Sequence, residues 1–163
     1  MVKSPIEKIM VYIDGSEESI VAAQLAVCYA KFMEAQLTAV YVINTRALND
    51  LRKVNIFLEE EEAEYSHDLE ADAQRYLNHV NELCRGKGVA VDAITLKGSV
   101  HQELVKTVKE KEIDILFIGE LSRIRSRRDE FYDESERAMR SVDCSVMIAK
   151  DEEKVAALFD QIV

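Results

Sequence analysis

Apolar runs short enough to be strands alternate with segments of helical periodicity along this chain, and that alternation limits its fold more than any other feature. Ile9 to Ile13 is continuously apolar, as a strand buried on both faces of a sheet requires. The run stops at Asp14-Gly15-Ser16. Ser16 has the chemistry of a helix N-cap, Glu17 and Glu18 suit the positive end of a helix dipole, and Ile20, Ala23, Val27 and Ala30 then recur at spacings of three and four. The same pattern returns with QLTAVYVI, a second strand ending near Ile43. Residues 44–54 read as a loop, and a long helix is predicted from about Asn55 to Arg85. Its inward stripe is Leu69, Ala73, Tyr76, Val80 and Leu83, and Gly86 and Gly88 end it. VAVDAITL is a third strand broken at Gly98, and Val100, Leu104 and Val108 mark the next helix. IDILFIG is the fourth and most apolar strand, which predicts a central position. A short helix to about Ser141 leads to CSVMIAK, the fifth strand.

Alternation of this kind produces a parallel sheet with right-handed crossovers and helices on both faces. A chain of 163 residues is long enough for one good core and too short for two ordinary domains. The expected organisation is therefore one α/β domain over residues 1–150 and an amphipathic C-terminal helix over 151–163. In that helix Val155, Leu158, Phe159 and Ile162 form one stripe, which must be buried either on its own domain or on a partner subunit.

A formal net charge of −10 argues against a general nucleic-acid or anionic-membrane surface. The longest nearly uncharged apolar stretch, Ile20 to Ala30, is shorter than the roughly 18 to 20 residues of a membrane span. The N-terminal apolar run reaches Asp14 too soon for a signal peptide, so a cytoplasmic protein is expected. Cys28, Cys84 and Cys144 are odd in number and far apart, which predicts reduced structural thiols. His67, His79 and His101 lack metal-ligand spacing and read as surface or boundary residues. The acidic run EEEEAEY at 59–65 reads as a solvated helix face, because its spacing is wrong for a calcium loop. No Ser-His-Asp, Cys-His or paired-carboxylate arrangement is visible, so no catalytic residue is named and no enzymatic activity is expected.

The ordered set Asp14-Gly15-Ser16, Tyr41-Val42, Gly98-Ser99, Gly119, Glu136-Arg137 and Cys144-Ser145-Val146 resembles the universal stress protein family from about Ile6 to Lys150. The resemblance implies a doubly wound open parallel sheet of strand order 3-2-1-4-5. It also implies a fifth strand that, in many members, pairs with its equivalent to form a homodimer. In such sheets ligands lie beyond the carboxyl ends of the strands where the order reverses, here between the first and fourth. In nucleotide-binding members the aspartate matching Asp14 and the backbone near Val42 hold adenosine. The phosphates lie on a loop of pattern G-x2-G-x9-G-[ST].

Laid on Gly119, that pattern places Ser122 and Tyr132 at the second and third glycines and Asp133 at the Ser/Thr. Glycines serve such a loop by reaching positive φ and letting backbone N–H groups approach the anion. Here the five glycines are 15, 86, 88, 98 and 119, and none follows Gly119. A carboxylate about 4 Å from a phosphate charge costs on the order of 4 kcal/mol at an effective dielectric near 20. Micromolar binding is worth only about 8 kcal/mol in total. Asp133-x-x-Glu136 also fits a capping box, with Asp133 taking the helix N–H groups that a phosphate would use. These features predict a regulatory or protein-binding member without ATP or another cofactor. The Arg-rich loop and the C-terminal helix are its candidate protein-contact elements.

The alternative is an ATP or other anionic-nucleotide site that uses magnesium and a variant loop. In that reading Asp14 and Val42 hold adenosine, and Arg123 or Arg125 supplies forked contacts to phosphate. Arg123, Arg125, Arg127 and Arg128 equally suit surface pairs with Asp129, Glu130 and Glu134. Asp14 likewise suits either a ligand role or plain turn duty.

Overall fold

A computed structural model describes residues 4–45, 59–121 and 132–163, the side chains of 59–62 and 132–133 excepted. The strands are β1 (Lys8–Ile13), β2 (Gln36–Asn44), β3 (Val91–Gly98), β4 (Ile115–Gly119) and β5 (Ser145–Ala149). The helices are α1 (Glu17–Met33), α2 (Glu59–Gly86), α3 (Val100–Glu110), α4 (Tyr132–Ser141) and α5 (Glu152–Gln161). Strands pair in parallel in the order β3-β2-β1-β4-β5. This is the doubly wound sheet that the alternation and the resemblance predict.

Two cores flank the sheet because successive β1 side chains point to opposite faces. Ile9, Val11 and Ile13 pack with residues of α1, α2 and α5, whereas Met10 and Tyr12 pack with residues of α3 and α4. Ile9, Met10, Val11 and Ile13 have no exposed surface, as a middle strand covered on both sides requires. The apolar character of β4 had pointed to the centre, but β1 holds that place and β4 lies between β1 and β5. Both strands are interior, and continuous apolar runs do not distinguish between interior positions.

The α2 stripe is shifted from its expected register. Ala73, Leu77, Val80 and Cys84 form the buried seam, while Leu69, Tyr76 and Leu83 flank it half-exposed. Cys28 and Cys84 are buried free thiols and Cys144 is half-buried and free. Burial raises all three thiol pKa values, with Cys84 pushed up to about 11.

The C-terminal helix α5 packs on its own domain. Val155, Phe159 and Ile162 enter the core shared with α1 and α2. The Lys87 ammonium donates to the Ile162 carbonyl at 2.8 Å and lies 4.7 Å from the centre of the Phe159 ring. Among the described residues, no helix is long and apolar enough to cross a membrane.

Candidate functional site

A cleft of about 350 Å³ opens beyond the carboxyl ends of β1 and β4, where the strand order reverses. Tyr12, Asp14, Ser16, Glu18, Gly119 and Glu120 line it, together with Ser19, Ile118, Leu121 and Ser135. Asp14 and Gly119 therefore meet as expected. Val42 does not line this cleft; it is buried in the core beneath α3 and α4. Ser122 and Arg123 lie outside the described residues, as do Arg125, Arg127, Arg128, Asp129 and Glu130.

The turn after β1 uses its polar groups internally. Asp14 Oδ1 accepts the Ser16 backbone N–H at 2.9 Å and also the Ser16 hydroxyl. Ser16 Oγ in turn accepts the Ser19 N–H at 3.1 Å, completing the predicted N-cap of α1, and Ser19 Oγ donates to the Ser16 carbonyl at 2.8 Å. Turn duty for Asp14 is thus real, and it engages one of the two carboxylate oxygens. Gly15 holds φ at +86° beneath the Tyr76 ring, a backbone conformation that favours glycine.

Gly119 has a packing role. A Cβ there would lie 2.6 Å from both the backbone carbon and the oxygen of Glu18, in the first turn of α1. The glycine lets helix and strand approach each other, and that approach brings Glu18 to the cleft.

Among the described residues, charge at this end of the sheet is predominantly negative. Asp14, Glu18 and Glu120 line the cleft, and among the described residues no lysine, arginine or histidine does. A neighbouring hollow shares Glu18 and Glu120 and adds Glu17, Asp151 and Glu152, with Lys150 its only cation among the described residues. Several of these acids stand in the first turns of α1 and α5, neutralising the helix ends that would attract an anion. Tyr12 reaches the cleft from the second core and is only 8% exposed. Burial, reinforced by the charges of Asp14 and Glu134, raises its phenol pKa well above the usual range and keeps it protonated.

The Asp133 side chain, expected to fill the anion hole of α4, lies outside the described residues. Glu136 pairs with Arg140, one turn on, at 3.1 Å. It is Glu134 that fills a helix N-terminus, and the helix is α3. Its Oε2 accepts the His101 backbone N–H at 3.0 Å and lies 2.7 Å from His101 Nδ1. Ser99, at the cap position, makes no side-chain bond to the α3 backbone, and its hydroxyl lies 3.2 Å from His101 Nδ1. Arg137 stands 3.7 Å from the other Glu134 oxygen.

Burial alone would raise the Glu134 pKa. The bonds from the His101 ring and backbone, with the electrostatic contributions of His101 and Arg137, outweigh burial and hold it below the ordinary 4.5. His67 and His79 are exposed and His101 is half-buried in this latch, surface and boundary positions as expected. The sequence reading missed the pair, because 33 residues separate its members.

The universal stress protein family model matches residues 5–150. The chain belongs to the universal stress protein family. Universal stress protein MJ0531 of Methanocaldococcus jannaschii is 26% identical over 148 residues, which cover 91% of this chain and 84% of that protein. The solved structure of the hypothetical protein MJ0577 superposes with a TM-score of 0.69 at 21% identity, covering 92% of this chain and 98% of that one. A family member from Arabidopsis thaliana, solved with AMP bound, superposes with a TM-score of 0.62 at 15% identity, over 91% of this chain and 94% of that one. The family match stops at residue 150, so α5 adds an element beyond the matched residues and packs against α1.

Proposed function

We propose that this universal stress protein acts in a stress response by binding and regulation, and that its strand-end cleft does not take ATP. The observation that carries the reading is the charge around the cleft: Asp14, Glu18 and Glu120 without a lining cation among the described residues. Each carboxylate near a phosphate costs several kcal/mol against a micromolar affinity of about 8. Gly119 supports the same reading, because the approach of Glu18 explains it without any phosphate. Absence of catalysis is part of the proposal, with regulation through a protein partner in its place. Purified protein, denatured to release its contents and assayed by ion-pair chromatography, is expected to yield no adenine nucleotide. A stoichiometric yield refutes the reading.

The AMP-bound Arabidopsis relative favours a second reading, in which this fold retains a nucleotide. Asp14 and Val42 then hold the adenosine, and Arg123 or Arg125 meets the phosphates with magnesium. Substituting Arg123 and Arg125 together separates the two readings, since only the second predicts lost nucleotide affinity.

Homodimerisation through β5 belongs to the same proposal. β5 ends the sheet, pairs among the described residues only with β4, and carries half-buried Val146, Met147 and Ile148. An unpaired apolar edge is stabilised by a second strand. Sedimentation equilibrium is expected to give twice the chain mass, and placing Pro at Val146 is expected to give the monomer.

A further inference from the structure

We propose that a second cavity, at the amino ends of β1, β2 and β3, binds an amphipathic monoanion: a carboxylate carried on an apolar chain of fatty-acyl type. It lies at the opposite end of the sheet from the strand-end cleft, so the proposal stands apart from the reading of that cleft. Its volume is about 770 Å³, against about 350 Å³ for the cleft. Small-molecule sites occupy roughly 300–1,000 Å³. The floor of the cavity is apolar. Leu37 and Ile113 are buried in it, and Ala35, Val89 and Val91 line it half-buried. Apolar surface left open in this way is what a hydrocarbon chain covers.

The charged groups select the sign of the ligand. Lys8, Lys31 and Lys111 line the cavity half-buried, whereas its two acids among the described residues, Glu34 and Asp92, are exposed. Lys31 holds the decisive charge. Its ammonium donates to the Lys87 carbonyl at 2.6 Å, and among the described residues no carboxylate stands within ion-pair distance of it. A neutral carbonyl fixes the ammonium in place and leaves its charge uncompensated, with two N–H donors to spare.

The other two lysines are held loosely. Lys111 stands 3.6 Å from Asp92 and Lys8 stands 3.8 Å from Glu112, both beyond hydrogen-bond length, so each ammonium is kept near the cavity and remains able to turn to a ligand. The exposed acids set an upper limit on the ligand's charge. A doubly charged phosphate would meet Glu34 and Asp92 as well as the lysines, whereas a single carboxylate meets Lys31 while its chain covers Val89 and Val91.

The test is an amide-resolved NMR titration of the full chain with decanoate at about 0.15 M salt, below the concentration at which decanoate forms micelles. Decyltrimethylammonium, of equal chain length and opposite charge, is the comparison. Saturable shifts with decanoate are expected at the amides of residues 30–37 and 88–92, and the cation is expected to produce none there. Affinity should fall about tenfold in Lys31→Gln and several-fold in Lys111→Gln. It should be unchanged in Lys154→Gln, whose lysine is exposed on α5 outside the lining. Lys111→Gln breaks no hydrogen bond of the fold, so it carries the same test if Lys31→Gln, which loses its bond to Lys87, does not fold. Shifts that fail to saturate or that centre on other residues overturn the proposal. Equal binding of the cation, or equal affinity in all three variants, overturns it as well.

Discussion

Truncating Glu134 tests how the two helices beyond the sheet are joined. Its carboxylate is only 8% exposed at the residue level and accepts two bonds from His101, one from the free N-terminus of α3. Hydrogen bonds to a charged group contribute roughly 1.5–3 kcal/mol each before desolvation is charged against them. Desolvating a half-enclosed carboxylate offsets part of that sum, so Glu134→Ala is expected to cost about 2–3 kcal/mol and Glu134→Gln about 1 kcal/mol. For a chain of this length the alanine variant should melt about 4–12 °C lower.

The pH dependence has a definite sign. Folding holds the Glu134 pKa below its ordinary 4.5, so the stabilisation is complete above that value and is lost as the pH falls through the folded value. Urea unfolding of wild type and variant at pH 7 and pH 4 should show the difference narrowing at the lower pH. A difference under about 0.5 kcal/mol at pH 7, or one that widens on acidification, refutes the latch.

Three further substitutions probe the packing that places the cleft. Gly119→Ala forces its new methyl against the α1 backbone and should destabilise by about 2–3 kcal/mol in urea titrations. Phe159→Ala removes the ring that anchors α5 beneath Lys87, and a loss of about 3 kcal/mol is expected by the same measurement. Glu34 ends α1 at φ 54° and ψ 39°, a left-handed conformation that costs a non-glycine residue roughly 1–2 kcal/mol. After the entropic cost of glycine, Glu34→Gly should raise stability by about 0.5–1 kcal/mol, visible as a higher melting temperature.

What could be read from the sequence was what local chemistry specifies. The β1 run and the turn from Asp14 to Ser19 are each determined within a few residues, and the structure shows both. Strand order came from resemblance, because periodicity reports that a strand is buried but not which strands flank it. The α2 seam was displaced because Leu69, Tyr76 and Leu83 are apolar, yet the helix turns them toward its flanks. At the site, Asp14 and Gly119 were legible as strand ends, but the reason for Gly119 is a close approach of α1 that only coordinates reveal. The Glu134–His101 latch was the largest omission. An acid in the first turn of one helix carries no mark of which neighbouring N-terminus it will fill.

The central claim, that the strand-end cleft of this universal stress protein has lost ATP, is tested most directly by thermal unfolding of the full chain across a Mg-ATP series. The account predicts an unchanged midpoint up to millimolar nucleotide. A site of 10 μM affinity would instead add about 2.7 kcal/mol at 1 mM, a rise of roughly 5–11 °C that grows with concentration. A rise of that form would contradict the account.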